Sequence, residues 1–258
     1  MQTINFRNLI HLYWNKVVIF GLLIFCLAPA QAQNDPSEYL IDYDEQWIHY
    51  GFAMAWHSSR YKTLYADDFA TTALDSLHSV ISERLPGFKV AMIANMRLLK
   101  YLDFRTMVTV GFYENRLLYR FTDGTSIEEL KDQTMVEVPL LLKYKSVRRR
   151  NVAMYMIGGF TPALEAAGRG DDLDIRSNLK LKNWNYAAEA GVGFDIYFEL
   201  FKFSPEIRYS WGLRNMLTND VNDYTLPIKQ LNYQNFSFYI TFEGGPTYLK
   251  RSKKIKRR

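Results

Sequence analysis

The stretch HYGFAMAWH, His49 to His57, alternates without a break. Tyr50, Phe52, Met54 and Trp56 are large and apolar, whereas His49, Gly51, Ala53, Ala55 and His57 are small or polar. Strict alternation marks a β-strand, whose side chains leave opposite faces in turn. In a soluble sandwich the bulky face would point inward and the second face would be mixed and charged. A mostly small second face instead suits a narrow barrel, whose bulky residues meet lipid while the small ones let the wall close.

The pattern recurs. Trp184, Tyr186, Ala188, Ala190, Val192, Phe194 and Ile196 alternate with Asn185, Ala187, Glu189, Gly191, Gly193 and Asp195. Phe201, Phe203, Pro205, Ile207, Tyr209 and Trp211 alternate with Lys202, Ser204, Glu206, Arg208, Ser210 and Gly212. Phe236, Phe238, Ile240 and Phe242 oppose Asn235, Ser237, Tyr239, Thr241 and Glu243, and Val136, Val138, Leu140, Leu142 and Tyr144 oppose Glu137, Pro139, Leu141 and Lys143. With Phe88 to Arg97, Phe104 to Tyr113 and Val152 to Thr161, where the faces are less distinct, the expectation is eight strands. Short connections (98–102, 145–151, 197–201) alternate with longer ones (58–86, 120–133, 165–182, 213–233), as in outer-membrane barrels with short periplasmic turns and long outer loops. An even strand number puts both termini in the periplasm, and Trp56, Trp184 and Trp211 are expected at the outer ends of their strands as an aromatic girdle.

The ends of the chain fit a secreted protein. Arg7 and Lys16 precede an apolar run from Val17 to Leu27 that is too short to span a bilayer as a helix. Ala30-Gln31-Ala32 supplies the small residues for cleavage between Ala32 and Gln33. The expected organisation is a signal peptide at 1–32, a periplasmic segment at 33–47, the barrel at 48–243 and a basic periplasmic tail at 244–258. The single cysteine, Cys26, would leave with the signal, excluding disulfides, thiolate metal sites and cysteine nucleophiles.

The formal charge of +5 is unevenly spread: the signal carries +2 and the tail +7, which leaves −4 for residues 33–243. The basic character therefore belongs to a short tail, and nucleic acid is not an expected partner. Only helices and closed sheets satisfy the backbone in lipid, and no apolar run after the signal is long enough for a helix, so a membrane protein of this sequence must be a barrel.

An eight-stranded barrel has a filled interior. Lys89, Arg97, Glu137, Lys143, Glu189, Asp195, Glu206 and Arg208 are expected to meet inside, tolerable only if they pair. A lipocalin-like carrier would need an apolar interior, whereas here the charges share a face with glycine and alanine. Arg148, Arg149 and Arg150 on one turn, with Lys250, Arg251, Lys253 and Lys254 in the tail, are candidates for contact with anionic headgroups or an acidic periplasmic partner. His57, Ser58, Ser59, Asp67, Asp68 and His78 gather the residue types of a hydrolase around the first outer loop, but a triad needs hydrogen-bonded geometry that a polar loop does not imply. The Arg-Gly-Asp triplet in Gly168 to Asp174 lacks the spacing of a calcium loop, and Gly191-Val-Gly193 lacks the third glycine of a dinucleotide loop; the latter is expected to make room inside the barrel.

Four stretches carry a family resemblance: PGFKVAMIANMRLLKYLDFR (86–105), VEVPLLLKYKSVRRRN (136–151), AGVGFDIYFELFKFSPEIRYSWGLRN (190–215) and FSFYITFE (236–243). Together they resemble the PorT (SprT) family, outer-membrane barrels of the Bacteroidetes type IX secretion system. The resemblance implies a non-enzymatic role in assembling or operating an apparatus that exports folded cargo and in some relatives supports gliding motility. It implies outer-membrane lipid and other secretion components as partners, and no cofactor.

Overall fold

The computed structural model describes residues 38–41, 43–66, 69, 77–166, 181–218 and 225–244. A 3-10 turn, Tyr43–Glu45, precedes ten strand segments: β1 (Ile48–Tyr65), β2 (Leu77–Glu83), β3 (Leu85–Leu99), β4 (Leu102–Phe121), β5 (Ser126–Glu137), β6 (Leu140–Lys145), β7 (Val152–Glu165), β8 (Trp184–Tyr197), β9 (Lys202–Gly212) and β10 (Ile228–Gly244). All pairings are antiparallel.

Ten segments make eight walls. β2 and β3 are one wall interrupted at Arg84, and both pair with β4. β5 and β6 form another, interrupted at Val138-Pro139, where proline has no amide hydrogen to give the ladder. The register across this gap is unshifted: Glu137 faces Thr109 and Leu140 faces Thr106 on β4. The sheet closes because β1 pairs with β10, from Tyr50 opposite Gly244 to Tyr65 opposite Ile228, while its other edge pairs with β3. No sheet edge is left between the first and last walls.

The side chains follow the alternation. Tyr50, Phe52, Met54 and Trp56 are half or more exposed on the outside, while His49, Ala53, Ala55 and His57 are buried inside. Exposed Met92, Val108, Met156, Val192, Ile207 and Phe238 extend the same apolar belt around the other walls. Phe52 stacks on Phe242 and Phe88 on Phe112, centroids 5.0 and 4.7 Å apart, as cross-strand pairs within this belt. Gly191 and Gly193 make room: a Cβ at Gly193 would stand 2.6 Å from the Tyr155 ring, and one at Gly191 2.4 Å from the Ile207 carbonyl.

Several sequence expectations need correction. The connections 58–86 and 120–133 are mostly strand: β1 runs on to Tyr65, β2 begins at Leu77, and β4 and β5 meet in a turn at 122–125 closed by Gly124 at φ +85°. These extensions rise beyond the apolar belt, where polar and apolar residues share both faces, with Arg60, Lys62 and Leu64 outward and Ser59 and Tyr61 inward on β1, and alternation no longer distinguishes strand from loop. For the same reason Trp56 lies in the middle of β1, not at its end, while Trp184 and Trp211 do end their strands.

Candidate functional site

The inward faces of six of the eight walls, all but β1 and β7, contribute charges to one ion-paired interior. Six cations, Lys89, Arg105, Lys143, Lys145, Lys202 and Arg208, meet six carboxylates, Asp103, Glu137, Glu189, Asp195, Glu206 and Glu243. All twelve are buried. Charges so desolvated persist only when paired and hydrogen-bonded, and the interior meets that condition in tiers.

In the middle tier, Asp195 on β8 accepts both its hydrogen bonds from Lys143 Nζ at 2.8 and 2.7 Å and a third from the Ser204 hydroxyl at 2.6 Å. Arg105 on β4 splits its guanidinium between Glu206 on β9, at 3.0 Å, and Glu243 on β10, at 2.5 Å. Glu243 also takes Lys202 at 2.9 Å, and Glu206 takes the Tyr155 hydroxyl at 2.6 Å and the Arg208 Nε. β9 stands opposite β4 in the ring of walls, so these bonds tie the barrel across its width.

Toward the loop end, Lys89 meets Glu137 at 2.7 Å, and the Tyr113 hydroxyl donates to the same carboxylate. Higher still, the Tyr61 hydroxyl donates to Gln133 at 2.9 Å and Ser59 to Asn115 at 3.1 Å. A cavity of about 30 Å³ lies here, lined by Lys89, Gln133, Glu137, Thr161, Glu189 and Asn235 among others. It is large enough for one or two waters and polar enough to hold them. Above it, Tyr61, Leu77, Val80, Leu117, Tyr119, Leu181, Met216, Leu217, Ile228 and Leu231 form an apolar cap.

At the opposite end, where the short turns and the ends of β1 and β10 lie, residues 39–41 and 43–47 fold back into the mouth. Tyr43 is buried there, stacked on His49 with centroids 3.9 Å apart and edge-on to Tyr197 at 5.9 Å. Asp44 accepts from the Tyr197 hydroxyl at 3.0 Å and lies 3.6 Å from Lys145. Arg148 donates to the Tyr39 and Leu40 carbonyls, and Asn151 accepts from the Tyr39 amide at 2.9 Å.

Of the eight residues expected in the lumen, Lys89, Glu137, Lys143, Glu189, Asp195, Glu206 and Arg208 are brought together. Arg97 is not: although it stands opposite Asp103 on β4, it is only half-buried at the turn end and forms no ion pair among the described residues, Asp103 being taken by Lys145. The missed residues are Asp103, Arg105, Lys145, Lys202 and Glu243. Lys202 and Glu243 stand on the polar faces of clearly alternating strands, so carrying the same count to the strand ends finds them.

Arg148 is held within the chain as described, and Arg149 and Arg150 are exposed on the same turn, with Arg150 at φ +54°. Lys250, Arg251, Lys253 and Lys254, the Ala32–Gln33 junction, Asp67, Asp68 and the Gly168–Asp174 loop lie outside the described residues. The hydrolase-type residues diverge. His57 points inward with Nε2 3.1 Å from the Phe112 carbonyl, Ser59 bonds Asn115, Ser58 faces outward and His78 is exposed on β2.

A closed antiparallel sheet with an apolar exterior and an ionised interior is a membrane-spanning β-barrel of the outer-membrane type. The chain belongs to the outer membrane protein beta-barrel domain family, which it matches over residues 31–218. Among solved structures it is similar to the outer membrane protein OprG of Pseudomonas aeruginosa (13% identity, 76% of this chain and 93% of that one, TM-score 0.45). It is also similar to Neisserial surface protein A (13% identity, 76% and 98%, TM-score 0.42) and to the outer membrane protease OmpT of Escherichia coli (8% identity, 77% and 95%, TM-score 0.40). Comparison with curated proteins gave no match.

Proposed function

We propose that this outer-membrane barrel is a non-enzymatic subunit or assembly factor of the type IX protein secretion system, working through its two ends. The observation that carries the reading is the interior itself. Paired charges fill it between an apolar cap at the loop end and the inserted Tyr43 at the other, so the barrel offers contact surfaces and not a conduit. The PorT-like stretches supply the system: PLLLKYKS, on β6 and the turn after it, and FKFSPE, which opens β9, both contribute lysines to the ion-paired interior.

The short turns and both strand termini share one end of the barrel, which suits a periplasmic placement, with the extended β1, β2, β4 and β5 reaching outward. Outer-membrane lipid covers the belt, and other secretion components are the partners at the ends, with Arg149, Arg150 and the basic tail on the periplasmic side. The test is deletion of the gene with plasmid rescue, scoring cargo that carries a C-terminal sorting domain in the medium against the periplasm. Retention cured by the plasmid supports the assignment. Normal secretion overturns it and leaves a small barrel with a structural or ligand-binding role, the reading that the family assignment alone also accommodates.

A further inference from the structure

On the outside of the barrel, the walls do not end level. β9 stops at Gly212, whereas its neighbour β10 runs on toward the loop end as far as Ile228. The overhang leaves a notch of about 260 Å³, floored by Gln230, Asn232 and Gln234 on β10 and flanked by Lys62 and Leu64 on β1 and Trp211 on β9. Its position is fixed by register. Gln234 lies between Arg60 on β1 and Trp211 on β9, and the neighbouring outward residue on β10, Phe236, already belongs to the apolar belt. The notch therefore opens at the depth where acyl chains give way to headgroups.

Its chemistry is selective. Lys62 is exposed, Arg60 is half-buried, and neither has a carboxylate within ion-pair distance among the described residues. Arg60 is held instead by a neutral group: its Nε and Nη2 both donate to the Gln234 side-chain oxygen at 3.2 Å. The half-buried arginine of another wall is different, since Arg116 is surrounded by Glu83, Glu114 and Glu128 at 3.5 to 4.0 Å. The Asn232 amide nitrogen is bonded to the Gly212 and Arg214 carbonyls and the Gln234 oxygen to Arg60, which leaves the Gln230 amide, the Asn232 oxygen and the Gln234 nitrogen turned to the notch. With Lys62 in its wall, Arg60 beside it and the flank of a tryptophan, these groups match a sugar ring that carries a phosphate: the ring packs on Trp211, the amide groups meet its hydroxyls, and the cations take the charge.

We propose that this notch seats the phosphorylated sugar headgroup of an outer-leaflet glycolipid. The proposal rests on the orientation given under Proposed function, with the loop end outward, and is independent of any role in secretion. It is tested by native mass spectrometry of the purified mature protein in detergent with bis-phosphorylated lipid A, the same lipid stripped of phosphate, and phosphatidylglycerol as probes. The expected result is a single retained lipid A adduct, at least fivefold more abundant than either alternative. Lys62→Glu should reduce it at least fivefold, and Lys100→Glu, at the turn end, should leave it unchanged.

Equal retention of phosphatidylglycerol, or full lipid A retention in Lys62→Glu, would overturn the site. Lys62→Gln gives the same reading should the charge reversal prevent folding. Orientation is read separately by labelling Ser126→Cys, at the tip of the β4–β5 hairpin, on whole cells with an impermeant maleimide. Labelling puts the notch in the outer leaflet, and failure to label intact but not permeabilised cells overturns the glycolipid as its occupant.

Discussion

Arg105 and Glu243 lie 2.5 Å apart although 138 residues separate them in sequence, and the same guanidinium reaches Glu206 on the opposite wall at 3.0 Å. One side chain thus joins three walls. Removing it leaves Glu243 with Lys202 and Glu206 with Arg208 and the Tyr155 hydroxyl, so the desolvation of two buried carboxylates is less fully offset. Arg105→Met is expected to cost about 3–5 kcal/mol in reversible unfolding from lipid bilayers, and stability within 1 kcal/mol of wild type would contradict the account.

The Lys89–Glu137 pair makes a different prediction, because its partners can be removed together. Each single change, Lys89→Met or Glu137→Leu, strands a buried charge, whereas the double change strands none. A double-mutant cycle should therefore give a coupling energy of about 1–3 kcal/mol, with the double variant more stable than the sum of the singles. Additive effects would show that the pair is not coupled.

On the outer face, Met92 is among the most exposed apolar side chains of the belt. Met92→Arg should destabilise the inserted barrel by about 2–4 kcal/mol, as expected for a cation near the bilayer midplane. The same substitution at Leu130, exposed on the loop-end extension, should cost under about 1 kcal/mol because that position lies beyond the belt. Equal penalties would move the boundary of the lipid belt.

How much of this was legible depended on contrast between faces. β1, β8, β9 and β10 set Phe, Trp and Tyr outside against Gly, Ala and Ser inside, and their orientation was readable from sequence. β7 was not, because Tyr155 and Ile157 point inward while Val152, Met154 and Met156 point outward, so both faces are bulky. Arg105 was missed for a related reason: on β4 the inward row Asp103, Arg105, Met107, Thr109 mixes charge with a large apolar residue. The insertion of Tyr43 into the mouth left no periodic trace, since it depends on partners at Tyr197, Arg148 and Asn151, more than a hundred positions away.

That insertion predicts a protection pattern. Arg148→Ala removes the donor that holds the Tyr39 and Leu40 carbonyls, and Asp44→Asn weakens the contact with Lys145. The double variant should expose residues 38–47 to protease added from the turn end at least tenfold faster than wild type, while the strands stay resistant. An unchanged cleavage rate would mean that these contacts do not hold the segment.

The central claim is that alternate residues of each wall face lipid and a packed, ion-paired interior. It is tested most directly by placing single cysteines at positions 50 to 57, spin-labelling them and measuring oxygen collision rates in bilayers. The account predicts a period of two, with high oxygen access at Tyr50, Phe52, Met54 and Trp56 and low access at Gly51, Ala53, Ala55 and His57. The opposite phase, or no alternation at all, would contradict it.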